Sequence, residues 1–198
     1  MRLPTLALAE LIAAEWAAQD EQIMFAAMPA TRLAFTALDR IGVARELVAE
    51  EVARYAGSDL LCYFADGPGP LIERELRSWG PLLDWAEEAL GLAFERVTGI
   101  VHRPQPQPTV EKVRALALAL GDLELTGLAA AAGLFGSAIL ALALQRRRLP
   151  GDAAFELSRL DEAFQEERWG VDAEAAERTA RLRTEAQALQ AWFEALAG

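Results

Sequence analysis

The chain has 198 residues, 53% of them hydrophobic, and alanine supplies much of that apolar content, which favours closely packed helices. Its 30 acidic and 19 basic residues give a formal net charge of −11, which argues against binding to nucleic acid or to an anionic membrane surface. The single cysteine, Cys62, cannot form an internal disulfide and fits a reducing compartment.

The first residues do not have the pattern of a targeting sequence. Glu10 and Glu15 interrupt the apolar stretch that a secretory signal peptide needs. Acidic residues are also rare in mitochondrial transit peptides. We therefore expect a cytoplasmic protein.

The first predicted helices lie in the N-terminal quarter of the chain. Apolar residues at helical spacing predict a helix over residues 5–19. Pro29 opens a second helix, whose apolar stripe runs over residues 31–41 until Gly42 interrupts it. A further stripe predicts a helix that ends at Gly57, with that glycine in a left-handed conformation.

The next segment contains the two predicted strands. Residues 60–64 are a short apolar run, typical of a strand or a buried extended piece. Residues 71–78 and 81–90 predict two helices separated by Gly80-Pro81. Residues 93–101 alternate and are rich in β-branched side chains, which favours a second strand.

A proline-rich segment divides the chain. Residues 103–108 have the pattern of an extended, polyproline-like linker. They separate an N-terminal helical half, residues 1–102, from a C-terminal half, residues 109–198, and we expect the two halves to form one compact unit. Thr109 is predicted to cap a helix that runs to about residue 120.

A long apolar helix is predicted over residues 124–145. Residues 127–144 carry no charge and precede Arg146-Arg147-Arg148, which leaves two interpretations. One is a membrane-spanning helix with basic residues on its cytoplasmic side, although its length is near the lower limit for crossing a bilayer. The other is a central helix buried on all sides, with small residues that let its neighbours approach closely.

Two helices complete the predicted fold. Pro150-Gly151-Asp152 opens a helix to about residue 168, which Gly170 ends, and Asp172 caps a last, charged helix. The predicted fold class is therefore mainly α, a multi-helix globular bundle with at most a short strand pair from residues 60–64 and 93–101.

The sequence offers little material for catalysis or for cofactor binding. His102 is the only histidine and is interpreted as a solvated loop residue, while Cys62 lies in an apolar run typical of a buried small hydrophobe. Zinc coordination by several histidines or cysteines is excluded by their number. The sequence contains no glycine-rich phosphate loop. We expect no catalytic residue, no metal and no cofactor.

A cluster of carboxylates near the C-terminus allows several interpretations. Its members are Asp161, Glu162, Glu166, Glu167, Asp172 and Glu174. The cluster is compatible with a general acid/base pair or a metal site, and hence with an uncharacterised helical enzyme. It is also compatible with a solvated acidic helix face, which is the usual meaning of a charge run. A third interpretation is an acidic docking surface, because aromatic residues and arginines, both common at interfaces, lie among the charges.

Four blocks of sequence together carry a family resemblance. They are Leu3–Gln19, Met28–Asp39, the segments Tyr55–Tyr63 and Trp79–Trp85, and Ser158–Gly170. In combination they resemble the alpha-subunit-specific assembly chaperones of the F-type ATP synthase catalytic sector, which occur in mitochondria and alphaproteobacteria. The blocks extend over nearly the whole chain, and each of them alone is weak.

Some positions depart from the family pattern. Phe64 stands where an arginine is usual, Glu75 where a glutamine is usual, and Ala163-Phe164 and Glu166 differ from the common residues in the fourth block. The resemblance also implies a β-rich region before the Leu-Pro-Thr block, at which this chain begins. That region is absent from this sequence, which leaves two interpretations: the sequence is truncated, or this member lacks the region.

The resemblance implies a chaperone rather than an enzyme. Such a protein binds the free alpha subunit and prevents its aggregation until the beta subunit replaces it. Differential affinity is sufficient for the exchange, without ATP hydrolysis. The implied partner is the alpha subunit. We expect a monomer without membrane insertion, located in the bacterial cytoplasm or, in a eukaryote, in the mitochondrial matrix.

The resemblance also suggests which residues contact the client. We predict a partner-binding set formed by Glu162, Gln165, Glu167, Trp169, Arg32 and Thr31. Asp39 and Asp59 belong to the same blocks, and we predict that they are buried residues that hold helices in register.

Overall fold

The computed structural model describes residues 2–198, which form ten α-helices and one two-stranded sheet. The helices are α1 (Leu6–Ala17), α2 (Pro29–Thr36), α3 (Gly42–Gly57), α4 (Gly69–Leu90), α5 (Gln107–Leu118), α6 (Asp122–Phe135), α7 (Ala138–Gln145), α8 (Gly151–Ser158), α9 (Leu160–Trp169) and α10 (Ala173–Ala197). The strands β1 (Tyr63–Phe64) and β2 (Val97–Thr98) are parallel, with Tyr63 opposite Val97. The predicted mainly helical fold with one short strand pair is confirmed.

Residues 29–57 form one continuous helical segment, so the prediction that Gly42 interrupts it is wrong. A π-helical segment, Ala37–Ile41, joins α2 directly to α3, and Gly42 keeps right-handed helical angles (φ −52°, ψ −34°). A π-segment inserts an extra residue into the helix and so shifts its apolar face without ending it. The helix does end at Gly57, but through Ser58 (φ −144°, ψ 45°) rather than through a left-handed glycine.

Helix α4 is a single helix of 22 residues, so the predicted break at Gly80-Pro81 is also wrong. Pro81 lies inside it, where proline removes one backbone hydrogen bond and is locally unfavourable. Trp79, Leu82 and Leu83 on either side are buried in the core, and their burial outweighs that local cost. Gly91 ends the helix in the left-handed conformation (φ 63°).

The proline-rich segment leads directly into α5, which already includes Gln107. Thr109 lies inside this helix and does not cap it, because its hydroxyl donates to the carbonyl of Ala93 at 2.6 Å. Gln105 makes two hydrogen bonds to the backbone of Glu95, at 2.8 and 2.9 Å. The segment is therefore fastened to the loop that contains β2.

The predicted long helix over residues 124–145 is divided into α6 and α7 at Gly136-Ser137. Gly136 is left-handed (φ 64°), and the Ser137 side chain caps α7 by accepting from the amide of Leu140 at 3.0 Å. The side chains of α7 from Ala138 to Leu144 are all buried. Within residues 2–198, no helix has both the length and the apolarity to cross a membrane.

Asp59 fixes this break in the helix from the other half of the chain. Its carboxylate accepts from the hydroxyl of Ser137 at 2.7 Å, from the amide of Ile139 at 3.0 Å and from the amide of Leu61 at 3.1 Å. Burial raises the pKa of Asp59 to about 6, and these hydrogen bonds oppose the rise. The prediction that Asp59 is a buried network residue is confirmed, whereas Asp39 is exposed and that prediction is wrong.

The core extends across the proline-rich segment. Helix α3 packs on α5 and α6, while α10 packs on α6, α8 and α1. Many of the buried residues are alanines, and Trp79 and Trp192 are the largest side chains among those that are almost wholly buried. The predicted helix that opens at Gly151 is divided at Arg159 (φ −120°) into α8 and α9.

Candidate partner-binding site

Helix α9 presents one face to α4 and the other to solvent. Asp161, Phe164 and Glu167, spaced three apart, lie on the side that faces α4, with Phe164 buried and Glu167 still exposed at the edge. Glu167 forms a bidentate ion pair with Arg74 of α4, at 2.8 and 3.0 Å. The same guanidinium group lies 5.4 Å from the ring centre of Phe164, which is buried.

The outer face of α9 is polar and ends in a large aromatic side chain. Glu162 and Gln165 are exposed, and Trp169 in the last turn is 79% exposed. Gly170 (φ 80°) then turns the chain away, and Asp172 caps α10 by accepting from the amide of Ala175 at 2.8 Å, as predicted. This arrangement combines a hydrogen-bonding surface with an exposed tryptophan, which is typical of protein-binding sites.

The predicted partner-binding residues on α2 lie apart from this face and in contrasting environments. Arg32 is exposed and lines a cavity of about 350 Å³ that α2, α6 and α10 enclose. Thr31 is fully buried, and its amide and hydroxyl both donate to Glu15, at 2.8 and 2.7 Å. Glu15 also accepts from the amide of Ala30, so it caps the start of α2. We therefore leave Thr31 out of the candidate surface.

Glu75 forms an unusual contact that the sequence reasoning did not identify. Its side chain is fully buried and lies against the carboxyl group of Asp161. Burial, together with Asp161, raises the pKa of Glu75 to about 7, and burial also raises the pKa of Asp161. The sequence shows that Glu75 replaces the glutamine that is usual in the family. It does not show that Asp161 is the residue facing Glu75.

Raised carboxylate pKa values are also a property of catalytic sites, but the geometry does not favour an enzyme here. Glu75 Oε1 and Asp161 Oδ1 are both sealed from solvent. Cys62 is buried, and burial raises its thiol pKa, which makes it a poor nucleophile. His102 is exposed and is hydrogen-bonded to the hydroxyl of Tyr63 at 3.0 Å. Among the residues that the structure describes, no His, Cys, Asp and Glu side chains are grouped as a metal ion requires.

A second exposed apolar area lies near the N-terminus of the fold. The ring of Phe25 is 6.4 Å from those of Trp16 and Phe35, and all three side chains are between 39% and 46% exposed. No local pattern in the sequence indicates this cluster, because Phe25 lies outside every predicted helix.

Comparison with known proteins finds relatives over nearly the whole chain. A family model described as ATP12 chaperone protein matches residues 1–87. The crystal structure of Atp12 from Paracoccus denitrificans is 38% identical, with a TM-score of 0.92, over 98% of this chain and 84% of that chain. A structure from Agrobacterium tumefaciens, described as a candidate chaperone, is 39% identical with a TM-score of 0.90, over 98% of this chain and 72% of that chain.

A relative from a eukaryote is also similar. The mitochondrial protein atp12 of Schizosaccharomyces pombe is 26% identical over 173 residues, which are 82% of this chain. The chain spans 60% of the length of that relative. These relatives are named as Atp12 or as chaperones rather than as enzymes.

Proposed function

Because the chain belongs to the ATP12 chaperone family, we propose that it assists assembly of the F-type ATP synthase by binding the free alpha subunit. In this proposal the chain covers a surface of the alpha subunit that the assembled ring would bury. The beta subunit then replaces the chaperone because it binds that surface more tightly. The complex forms in the bacterial cytoplasm or, in a eukaryote, in the mitochondrial matrix.

The observation that carries the proposal is the similarity to Atp12 over 98% of the chain, at 38% identity and with a TM-score of 0.92. A TM-score this high over nearly the whole chain means that the two proteins share the same arrangement of helices. The resemblance of the four sequence blocks to alpha-subunit-specific chaperones extends the proposal from the family to the client.

We propose the outer face of α9 as the main client surface. Trp169 is 79% exposed, and a tryptophan that becomes buried in an interface commonly contributes much of the binding energy. Glu162 and Gln165 lie on the same face and supply acceptors that fix the orientation of the client. Glu167 is engaged with Arg74, so it contributes mainly by holding α9 in place. Arg32 belongs to a second, separate contact.

Co-expression with the alpha subunit tests this function. We expect the chain to keep the alpha subunit soluble and to elute with it as a one-to-one complex in size-exclusion chromatography. Addition of beta subunit should release the chaperone. An alpha subunit that stays insoluble, together with no complex between the purified proteins, would contradict the proposal.

Two variants test the proposed surface, each with a matched control. Glu162→Lys should weaken the complex, while Glu88→Lys makes the same charge change at an exposed position near the far end of α4 and should not. Trp169→Ala removes an exposed apolar side chain from α9, and Val43→Ala truncates a residue that is 95% exposed on α3. If both members of each pair bind equally well, the client contacts another surface of the chain.

A further inference from the structure

The attachment of α9 to α4 depends on two neighbouring residues of α4. Arg74 forms an ion pair with Glu167, which lies towards the C-terminal end of α9. Glu75 contacts Asp161, which lies in the first turn of α9. Phe164, which lies between Asp161 and Glu167 in the sequence, has its ring centre 5.4 Å from the Arg74 guanidinium group. The direction in which α9 points therefore depends on both contacts.

The contact between Glu75 and Asp161 requires a proton. The backbone amide of Ala65 donates to Glu75 Oε2 at 2.8 Å, which satisfies one oxygen. Glu75 Oε1 and Asp161 Oδ1 are buried and, within residues 2–198, receive no hydrogen bond from a nitrogen or hydroxyl donor. Two ionised carboxylates in that position would repel one another without a donor between them. One shared proton converts the repulsion into a hydrogen bond.

The charged groups near Glu75 and Asp161 do not take the place of this proton between the two carboxyl groups. Glu162, next to Asp161 in the chain, adds negative charge. Arg74 is directed to Glu167 and does not pair with either carboxyl group. A cavity of about 550 Å³ beside Asp161 is also lined by Asp66 and His102. Burial raises the pKa of Glu75 to about 7, so the proton would be lost near neutral pH.

We propose that Glu75 and Asp161 are positioning residues whose shared proton holds α9 in the orientation that presents its outer face to the client. This inference rests on the proposed function, because it assigns client binding to that face. Loss of the proton leaves two like charges at the first turn of α9, while the ion pair between Arg74 and Glu167 persists. The helix then pivots about its C-terminal contact, and Trp169 and Glu162 no longer face the client together.

The proposal predicts a pH-dependent affinity that one substitution abolishes. Purified alpha subunit is titrated with the wild-type chain and with Glu75→Gln at pH 6 and at pH 8.5. The wild-type affinity should fall roughly tenfold between the two pH values, which corresponds to the loss of one hydrogen bond to a charged group. Glutamine carries permanent donors in place of the proton, so Glu75→Gln should bind equally well at both. Glu73→Gln, the same change at an exposed position on α4, should keep the wild-type pH profile.

A second measurement tests the positioning without the client. Hydrogen exchange of the α9 amides is compared between the wild-type chain and Glu75→Gln at each pH, so that the intrinsic effect of pH on exchange cancels. We expect faster exchange in the wild-type chain at pH 8.5 and equal exchange at pH 6. Asp161→Asn places the donor on the other side of the pair and should give the same result, so it replaces Glu75→Gln if that variant folds poorly.

The outcomes separate this inference from the proposed function. If the wild-type chain and Glu75→Gln bind the alpha subunit with the same pH profile, the shared proton does not position α9, although the client assignment stands. If no variant binds at either pH, the proposed function fails, and hydrogen exchange alone decides whether the pair holds the helix. Equal exchange of the wild-type chain and both variants at pH 8.5 would overturn the proposal.

Discussion

Removal of the Asp59 carboxylate should be among the most destabilising single changes in this protein. The side chain is fully buried and joins the segment before β1 to the start of α7, almost 80 residues further along the chain. It accepts hydrogen bonds from one hydroxyl, that of Ser137, and from the amides of Leu61 and Ile139. Asp59→Ala would leave these donors in the core without their acceptor.

The size of the effect follows from these donors. A buried donor that loses its acceptor costs about 1–3 kcal/mol, so the two amides and the hydroxyl together suggest about 5 kcal/mol. The ionised carboxylate is itself costly to bury, as its raised pKa of about 6 indicates, and its removal offsets part of that loss. We therefore expect Asp59→Ala to lower the free energy of unfolding by about 4 kcal/mol. Asp59→Asn keeps one acceptor oxygen and should cost about half as much.

Urea unfolding at pH 7, followed by circular dichroism, measures this difference. In thermal unfolding the same loss corresponds to roughly 10 °C in Tm for a chain of this length. Asp39→Ala is the matched control, because Asp39 is exposed and should change stability by less than about 0.5 kcal/mol. An Asp59→Ala protein that unfolds within 1 kcal/mol of the wild type would show that these hydrogen bonds add little to the fold.

Three further predictions follow from the same structure. Burial raises the pKa of Glu75 from 4.5 to about 7, so the folded chain keeps a proton that the unfolded chain loses, and stability should fall as pH rises through that range. Glu75→Gln should remove this part of the pH dependence in urea unfolding. Trp169→Ala should weaken alpha-subunit binding about 30-fold, measured by titration, since hot-spot side chains contribute 2 kcal/mol or more. Gly151→Ala should cost about 2–3 kcal/mol in thermal unfolding, because its Cβ would overlap the backbone of Ala186, whereas Gly57→Ala has open space and should be neutral or stabilising.

The helices were predictable from the sequence where local pattern and tertiary packing agree. Pro29 opens α2, Gly91 ends α4 and Asp172 caps α10, because each residue acts locally. Proline has a fixed φ, glycine tolerates a positive φ, and the aspartate side chain accepts from an amide three residues on. The same kind of reasoning fails at Gly42 and Pro81. There the backbone cost of about 1 kcal/mol for glycine or 3 for proline is smaller than the gain from keeping an apolar helix face in the core.

Long-range contacts account for the other differences. The break between α6 and α7 follows Gly136, but the apolar sequence around it fits a longer helix equally well, and Asp59 fixes the position of the break from the other half of the chain. The candidate site likewise has one part that the sequence of a single segment indicates and another part that depends on a long-range contact. Glu162 and Trp169 on the outer face of α9 lie within one block that carries the family resemblance, so the resemblance was enough to suggest them. The contact of Asp161 with Glu75 joins residues 86 positions apart, and no local pattern indicates it.

The alanine-rich interior gives the protein an asymmetric response to mutation. The buried residues of α7 include Ala138, Ala141 and Ala143, and Ala131 and Ala132 of α6 are buried as well. An alanine cannot be truncated to create a large cavity, whereas one or two added methylene groups at such a site force neighbouring helix backbones apart, at about 1–3 kcal/mol. Mutational tolerance at these positions is therefore limited by overpacking. Within this family we expect small side-chain volume along α6 and α7 to vary less than hydrophobicity does.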